Sequence, residues 1–421
     1  MNILFTVPYA PTLIRVRPYN LVRALARRGH RVTLATLWET EAERAALGEL
    51  KAQGFEVMAE RLSPARKGWN LLGALPGRTP LQAAYCWQPA LARAIAARLG
   101  ADRFDVVHVE HLRGARYGLS ALGLHPSSFI LHPSSLRQSP IPIIWDSVDC
   151  ISYLFEQAAA KGRGAFGRLV TRLELPRTRR YEGWLAGQFD RVLVTSPVDK
   201  AALEELAAGQ RQQAAIEVLP NGVDLAYFSP DGAIRDPATV LFSGKMSYHA
   251  NDAAAQYLAG EVMPRVWAQR PDAKLVIAGS GPSAAVHRLA AQNAGRVEVT
   301  GFLPDLRVPL RRATVAAAPL LYGAGIQNKV LEAMACGTPV VASPLAVSAL
   351  EHVRTGADCL VAESPDAFAE AILRLIEDRR LCEEMGAAGR RYVEQHHDWD
   401  EIAGRLENVY EDERRDCHTD P

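Results

Sequence analysis

The sequence has no long apolar run, few cysteines and almost no net charge. No apolar stretch approaches the ~20 residues needed to cross a bilayer, and the amino terminus lacks the basic start and apolar stretch of a signal peptide. Lysine and arginine total 48 against 47 aspartate and glutamate, which argues against a nucleic-acid protein with a basic surface throughout. We therefore expect a cytoplasmic protein with no nucleic-acid partner, whose contact with the inner membrane is at most peripheral.

Patterns for metal, cofactor and dinucleotide binding are also missing. The six cysteines form no CxxC pair and no zinc-type spacing, so reduced thiols, no metal site and no cofactor are expected. The first predicted strand runs into Pro8-Tyr-Ala-Pro11 where a nicotinamide-dependent oxidoreductase needs G-x-G-x-x-G. Asp398-Trp-Asp400 resembles a DxD metal motif, but Asp398 with Glu401 three residues later predicts a capping box that opens the last helix.

Short β-branched runs alternate with longer amphipathic segments along the chain. This pattern predicts the α/β class, with parallel, doubly wound sheets covered by helices on both faces. A chain of 421 residues exceeds the size of one core, so two domains are expected. We place them at residues 1–212 and 213–394, with a final helical segment at 395–421. The predicted strands are Ile3–Val7, Val32–Thr36, Val106–Val109, Ile143–Trp145 and Val192–Val194, then Val240–Ser243, Leu275–Ala278, Val297–Thr300, Val315–Ala318 and Pro339–Ala342.

Two stretches depart from this alternation. His125-Pro-Ser-Ser is repeated at His132-Pro-Ser-Ser within a predicted insertion at 123–140, and a tolerated surface insertion explains it better than a histidine metal site. The segment from Lys161 to Arg180 is rich in arginine, which favours a solvated helix face over attraction to anionic lipid or a charged acceptor.

The most informative segment runs from Gly323 to Ser343. It predicts a glycine-bearing loop, a helix from about Gln327 to Ala335, and a buried strand. The free amides at the start of such a helix form an anion site. Lys329 opposes the helix macrodipole there, so an anionic ligand explains it better than helix stability does. Glu332 lies three residues on, on the same face, where a carboxylate can accept both hydroxyls of a ribose.

This segment resembles the donor-binding motif of glycosyltransferase family 4. Other pieces match in the family's order: Gly29-His-Arg-Val32, Leu219-Pro-Asn-Gly-Val-Asp224, Phe242-Ser-Gly-Lys245, Val276-Ile-Ala-Gly-Ser-Gly-Pro282 and Val299-Thr-Gly-Phe-Leu-Pro304. The resemblance covers nearly the whole chain. It implies the GT-B fold, with two Rossmann-like domains facing across a cleft and a last helix that packs back on the first domain.

The resemblance also implies a retaining transfer of sugar from a nucleoside diphosphate sugar to a glycan or lipid-linked acceptor. The leaving diphosphate needs fixed positive groups as the bond breaks, and Lys245, Lys329 and the amides of Gly325 and Ile326 are the candidates. Glu332 would bind the ribose. The remaining donor-binding candidates are Gly244, Asn251, Gly279, Gly281, Gly301, Phe302, Leu303 and Tyr322.

On the acceptor side, Asp105 to His111 is predicted as a strand running out into a loop. Either Glu110 or His111 is expected to orient or deprotonate an acceptor hydroxyl. Arg15 and Arg17 stand where many relatives carry glycines, and they face either donor phosphates, an anionic acceptor or solvent.

The chain departs from the family pattern at two positions. The first of the family's two glutamates falls on Ala324, and Asn251 stands about where a lysine is common. The segments Met246 to Asp252 and Gly325 to Lys329 resemble sugar transferases of bacterial exopolysaccharide systems that accompany exosortase sorting. A sugar-nucleotide epimerase of the same fold, or a non-catalytic nucleotide-sugar-binding scaffold, remain the alternatives.

Overall fold

A computed structural model describes residues 1–12, 15–123, 141–161, 165–210, 214–323 and 325–419, and for residues 158–161, 165–172 and 418–419 it describes the backbone alone. The chain divides into two compact units. The first contains residues 1–220 and 399–421, and the second contains residues 221–398. The first unit therefore runs past the domain boundary expected at residue 212.

The first unit is built on a seven-stranded sheet in the order β3-β2-β1-β4-β5-β6-β7, and every neighbouring pair is parallel. Its strands are β1 (Asn2–Val7), β2 (Arg31–Trp38), β3 (Glu56–Arg61), β4 (Val106–Glu110), β5 (Ile143–Val148), β6 (Arg191–Val194) and β7 (Ala215–Val218). The central strands are buried on both faces, which explains why their sequences are mostly apolar.

Helices cover this sheet on both faces. They are α1 (Val16–Arg27), α2 (Glu41–Ala52), α3 (Pro64–Ala74), α4 (Leu81–Ala84), α5 (Pro89–Ala101), α6 (His111–Ala121), α7 (Ile151–Lys161), α8 (Ala165–Leu185) and α9 (Pro197–Ala207). Their starts follow local rules: Thr40 forms a capping box with Glu43 at α2, and the Ser196 hydroxyl accepts a hydrogen bond from Asp199 N at α9.

The second unit repeats the plan with a six-stranded sheet in the order β10-β9-β8-β11-β12-β13, again parallel throughout. Its strands are β8 (Thr239–Ser243), β9 (Lys274–Ala278), β10 (Val297–Gly301), β11 (Val315–Ala318), β12 (Val340–Ala342) and β13 (Leu360–Val361). The two sheets confirm the predicted α/β class with two Rossmann-like, doubly wound domains.

The helices of the second unit are α10 (His249–Tyr257), α11 (Met263–Gln269), α12 (Ala284–Gln292), α13 (Arg307–Arg312), α14 (Asn328–Ala335), α15 (Pro344–Val347), α16 (Pro365–Glu377) and α17 (Arg379–His396). A π-helical turn, Leu258–Val262, joins α10 to α11. The carbonyl of Ala335 in the last turn of α14 accepts a hydrogen bond from Arg390 at 2.7 Å, so this end of the helix is capped by a cation.

The last helix, α18 (Trp399–Thr419), belongs to the first unit. Its Trp399, Ile402, Leu406 and Tyr410 side chains are buried in the same core cluster as Leu21 of α1. Asp400, half of the DxD-like motif, forms an ion pair with Arg27, a structural contact. No helix in the described parts of the chain is both long and apolar enough to traverse a bilayer.

Both sheets have the 3-2-1-4-5-6 strand order in their first six strands, and this order fixes where ligands bind. In such a sheet, the connection after the first strand and the connection after the fourth strand run in opposite directions. Because these two strands are neighbours, a crevice opens at their carboxyl ends. In the first unit the crevice lies beyond β1 and β4. In the second it lies beyond β8 and β11.

Candidate functional site

In the second unit, glycines bring the ends of three neighbouring strands together. The Gly244 amide donates to the Ala278 carbonyl, and the Gly279 amide donates to the Gly301 carbonyl, both at 3.0 Å. A Cβ on Gly279 would lie 1.7 Å from the Gly244 carbonyl oxygen, and its φ of 144° also favours glycine. The chain can approach this closely only without a side chain at residue 279.

Gly281 lies against Ser247 in the same strand-end cluster, where an added Cβ would be 3.0 Å from the serine Cβ. The predicted glycines therefore line one end of the sheet.

Helix α14 opens beside β8 with an uncapped amino end. Its N-cap, Gln327, makes no side-chain capping bond, and no acidic residue occupies the first turn. Gly325 has a φ of 69°, and Ile326 is buried, so the chain turns sharply into the helix. The amino end of a helix, with the positive end of its macrodipole, is a site where an anion can bind.

Lys329 is held over this helix end by Asn251. Its Nζ donates to Asn251 Oδ1 at 2.8 Å, and Asn251 Nδ2 donates to the Lys245 carbonyl at 3.0 Å. Burial lowers the pKa of Lys329 to about 8, while the charge of Glu332 opposes the shift. Asn251 is itself buried, so it positions the lysine rather than presenting a free group to a ligand.

Glu332 is a partly buried carboxylate one turn further along α14. Burial raises its pKa to about 7, and the positive charge of Lys329 opposes the shift. The described residues supply no hydrogen-bond donor to its side chain. A ligand with hydroxyl groups would satisfy the carboxylate, which otherwise carries an uncompensated desolvation cost.

Of three residues predicted to contact the sugar donor, Lys245 and Phe302 are exposed and Leu303 is partly buried. Lys245 is exposed and forms no ion pair with the described residues. Phe302, just past β10, has 71% of its surface exposed, an unusual state for a large aromatic ring. Leu303 was predicted to contact the donor, but its side chain is partly buried against the core of the second unit.

One member of an aromatic pair next to this site, His249, was missed by the sequence reasoning. The Tyr322 and His249 rings are stacked with centroids 5.3 Å apart, and their Oη and Nδ1 atoms are 3.0 Å apart. Tyr322 Oη also donates to the His249 carbonyl at 3.1 Å. Tyr322 was predicted from its place in the loop, whereas His249 carries no signal because its partner is 73 residues away in the sequence.

In the first unit, a carboxyl group lies at the end of β4. Glu110 is 1% exposed, and its Oε1 accepts a hydrogen bond of 2.6 Å from the Tyr9 hydroxyl beyond β1. Its Oε2 has no hydrogen-bond partner among the described residues. Burial, with a contribution from the charge of Asp146, raises the pKa of Glu110 to about 8. Arg15 stacks over the Tyr9 ring, 4.4 Å from its centroid, and is exposed.

His111 directly follows Glu110 and opens α6, so the predicted loop at this point is wrong. Its φ of 66° is rare for a residue with a side chain. Its Nδ1 accepts a hydrogen bond of 3.2 Å from the Arg113 amide. Burial, then the charges of Arg113 and Arg15, hold the pKa of His111 at about 3. The ring is therefore neutral at physiological pH with its proton on Nε2, and it can donate a hydrogen bond.

Arg17 does not belong to the predicted phosphate or acceptor loop. It is 5% exposed, and its Nε and Nη2 atoms each lie 2.8 Å from Asp146 Oδ2. Its Nη1 donates to the carbonyls of Leu219 and Pro220. The guanidinium is thus committed to a buried ion pair and to the backbone. The sequence could not indicate this, since Asp146 is 129 residues away.

Several predicted features lie wholly or partly outside the described residues. The His-Pro-Ser-Ser repeat and Ala324 are among them, as are the side chains of the basic segment up to Arg172. In the described remainder of that segment, Arg177 pairs with Glu174, and Arg179 pairs with Glu156 and Glu205. The described residues include no cluster of three or more His, Cys, Asp or Glu side chains able to hold a metal ion.

Two Rossmann-like units, each with its candidate ligand groups at the strand-order switch, define the GT-B class of glycosyltransferases. Solved structures with this fold match over nearly the full length. HepE of Anabaena, solved in complex with UDP, has a TM-score of 0.63 and 16% identity, and covers 98% of this chain and 100% of its own. Sucrose-phosphate synthase of Thermosynechococcus elongatus has a TM-score of 0.67 and 19% identity over 98% of each chain.

The chain belongs to glycosyltransferase family 4. The profile described as Glycosyltransferase Family 4 matches residues 15–227, and the profile described as Glycosyl transferases group 1 matches residues 237–378.

Two mannosyltransferases illustrate the similarity to characterised relatives. Phosphatidyl-myo-inositol mannosyltransferase of Mycolicibacterium smegmatis is 31% identical over 51% of this chain and 57% of its own length. A GDP-mannose-dependent monoacylated alpha-(1-6)-phosphatidylinositol monomannoside mannosyltransferase of Corynebacterium glutamicum is 34% identical over 47% of this chain and 57% of its own. The matched part therefore spans a little over half of each relative.

Proposed function

We propose that the protein transfers a hexosyl group, with retention of configuration, from a nucleoside diphosphate sugar to a glycan or lipid-linked acceptor. The observation that carries this proposal is the group of features beyond β8. The uncapped start of α14, a lysine fixed by Asn251, and a carboxylate without a donor lie together at the strand-order switch. These are complementary to a diphosphate joined to a ribose.

Each candidate donor-binding residue of the second unit then has one role. Lys329, Lys245 and the amides of Gly325 and Ile326 stabilise the negative charge that develops on the leaving diphosphate. Glu332 accepts hydrogen bonds from the ribose hydroxyls. The exposed ring of Phe302 stacks on the base, since an aromatic face near a nucleotide gains from such contact.

The acceptor, in the same proposal, binds beyond β4 of the first unit. The neutral His111 donates from Nε2 to a hydroxyl of the acceptor or of the donor sugar. Glu110 has a pKa close to neutrality, so it can hold or release a proton where the acceptor hydroxyl reacts. Arg15 contributes positive charge above Tyr9, which suits an anionic acceptor.

The names of the relatives direct the choice of first substrates. The relatives from M. smegmatis and C. glutamicum are named for mannose transfer to phosphatidylinositol lipids, one of them from GDP-mannose. We propose GDP-mannose as the first donor to test and a lipid-linked acceptor as the first acceptor. We also propose that the product belongs to exopolysaccharide or other cell-envelope glycan synthesis, and the resemblance to exopolysaccharide transferases supports this proposal.

Binding is tested by thermal shift with GDP, UDP and ADP and their sugar conjugates, since a ligand of the folded state raises the melting temperature. The preferred donor should raise it for the wild type and not for Lys329→Met or Glu332→Gln. Lys274→Met, which removes an exposed lysine at the start of β9, is the matched control and should respond as the wild type does. Transfer is then followed with that donor, and the anomer of the product is read by NMR.

Two alternatives predict other results. A non-catalytic scaffold, suggested by alanine at residue 324 in place of the family glutamate, would bind donor without forming product. An epimerase would isomerise the donor without any acceptor. Unchanged product formation by Lys329→Met and Glu332→Gln would contradict the roles given to these side chains.

A further inference from the structure

Helix α3 presents large apolar side chains to solvent. Trp69 and Leu72 expose 72% and 62% of their surfaces, and Leu75, just past the helix end, exposes 51%. Their spacing of three residues puts them along one side of the helix. Isolated exposed leucines are ordinary, but a tryptophan with two leucines on one short helix forms a contiguous apolar surface that indicates a binding partner.

The helix is fixed so that this side must face outwards. Asn70 Nδ2 donates to the carbonyls of Tyr85 and Trp87, at 2.9 and 2.7 Å. Lys67 forms an ion pair with Glu39 on the same inner side. At the far end, the Leu75 carbonyl accepts a hydrogen bond of 2.8 Å from Arg177 of α8. Rotation that would bury Trp69 would break these contacts, so the exposure belongs to the folded unit.

The charged residues of α3 and of the sequence on either side of it are of one sign. No aspartate or glutamate occurs between Arg61 and Ala101, and the cations of this stretch are Arg61, Arg66, Lys67, Arg78, Arg93 and Arg98. Arg66 and Arg78 flank the apolar side chains, are exposed, and form no ion pair with the described residues. A surface hollow of about 490 Å³ lies beside Arg66 and Trp69.

We propose that α3 and the segment after it, residues 64–78, dock the protein on the surface of an anionic lipid bilayer. Trp69, Leu72 and Leu75 enter the boundary between headgroups and acyl chains, and Arg66 and Arg78 contact lipid phosphates. An amphipathic helix with tryptophan and leucine on one side and cations beside them has the chemistry of a helix that lies in the membrane interface. A second copy of the chain fits less well, because the cations would meet like charges.

Flotation of the full chain with lipid vesicles tests the docking surface. The wild type should float with vesicles of phosphatidylglycerol and phosphatidylcholine in equal parts. With vesicles of phosphatidylcholine alone it should stay at the bottom of the gradient. High salt should release it, because surface charges are then screened. Trp69→Ser with Leu72→Ser should weaken binding roughly tenfold or more, and so should Arg66→Glu with Arg78→Glu.

Ile234→Ser is the matched control, since Ile234 is an apolar side chain of the second unit that is 89% exposed. It should float like the wild type. All the substituted side chains are exposed, so melting temperatures should stay close to the wild-type value, which separates lost docking from lost folding.

Three results would overturn the docking proposal. The first is a wild type that does not float with anionic vesicles, and the second is a Trp69→Ser, Leu72→Ser variant that floats as well as the wild type. The third is a wild-type dimer, detected by light scattering, that this double variant no longer forms. The last would identify a second copy as the occupant. Vesicle binding needs no sugar transfer, so its failure leaves the proposed transferase function untouched.

Discussion

At the scale of single residues, Lys329 and Glu332 change protonation state close to neutral pH. Burial lowers the pKa of Lys329 to about 8 and raises that of Glu332 to about 7. Both shifts disfavour the charged forms in the free protein, whereas a bound diphosphate and ribose require both charges. The charged forms of Lys329 and Glu332 thus destabilise the protein without a ligand and favour binding of the nucleotide.

Nucleoside diphosphate affinity should therefore be highest between about pH 7 and 8. Below this range Glu332 gains a proton and no longer accepts two ribose hydroxyls. Above it Lys329 loses the proton that neutralises the diphosphate, and affinity should fall about tenfold per pH unit. Calorimetric titration across pH gives the profile. Lys329→Met should lower affinity at pH 7 and remove the alkaline fall, and a fall that persists in this variant would refute the assignment.

His111 should act without titrating. Its pKa of about 3 keeps the ring neutral across the working range, with Nε2–H as donor. Loss of one such hydrogen bond in the transition state lowers kcat by on the order of 10²-fold, so His111→Ala should show this loss. His111→Gln retains a donor at similar reach and should recover part of it. The pH profiles of kcat for the wild type and for His111→Gln should have the same shape near pH 6.5. A step near pH 6.5 that is present in the wild type and absent from His111→Gln would instead identify the histidine as a general acid or base.

The side-chain neighbours that the sequence predicts and those that it misses differ in one physical respect. Lys329 and Glu332 are three residues apart on one helix, so local periodicity alone put them together. Arg17 and His249, by contrast, contact Asp146 and Tyr322, which are 129 and 73 residues away in the sequence. Such pairings depend on how strands and loops meet in space, which a single sequence does not encode locally.

At the scale of elements, the glycine cluster beyond β8 is the tightest backbone contact of the candidate site. Gly279→Ala would place a Cβ 1.7 Å from the Gly244 carbonyl oxygen. We expect it to destabilise the second unit by about 2–4 kcal/mol, measured by urea unfolding. Gly295→Ala is the control, because its φ of 83° is also positive but nothing lies within 4 Å. Its strain alone should cost about 1 kcal/mol, and equal losses in both variants would contradict the close-packing argument.

Every central strand was predicted, whereas β10 was the only one of the four edge strands of the described sheets to be predicted. The buried β1, β4 and β8 have mostly apolar sequences that identify them. The edge strand β3, Glu56–Arg61, has mixed polarity and is only partly buried, and β7 is short with an exposed first residue. Edge positions impose a weaker apolar pattern, so periodicity gives little signal there.

At the scale of the whole molecule, α18 follows the second unit in sequence but belongs to the first unit. Helix α18 buries Leu406 and Tyr410 against the core of this unit. The Tyr410 hydroxyl lies 2.9 Å from His108 Nδ1 of β4. The sequence predicted a last helix, but only the family resemblance implied where it packs.

Leu406→Ala should therefore destabilise the first unit, although the residue lies beyond the second unit in sequence. Truncating a fully buried leucine costs about 2–5 kcal/mol, and hydrogen exchange should lose protection in β1 and β4 while β8 and β11 keep theirs. Leu375→Ala, at a fully buried leucine of α16, should give the reverse pattern. Exchange that rises equally in both sheets would show that the units do not unfold separately.

A crystal structure of the protein with its best-binding nucleoside diphosphate is the decisive test of nucleotide binding at the start of α14. We expect phosphate oxygens within hydrogen-bond distance of the Gly325 and Ile326 amides and of Lys329 Nζ, with both ribose hydroxyls on Glu332. Nucleotide density elsewhere in the chain, with Glu332 left without a ligand, would contradict it.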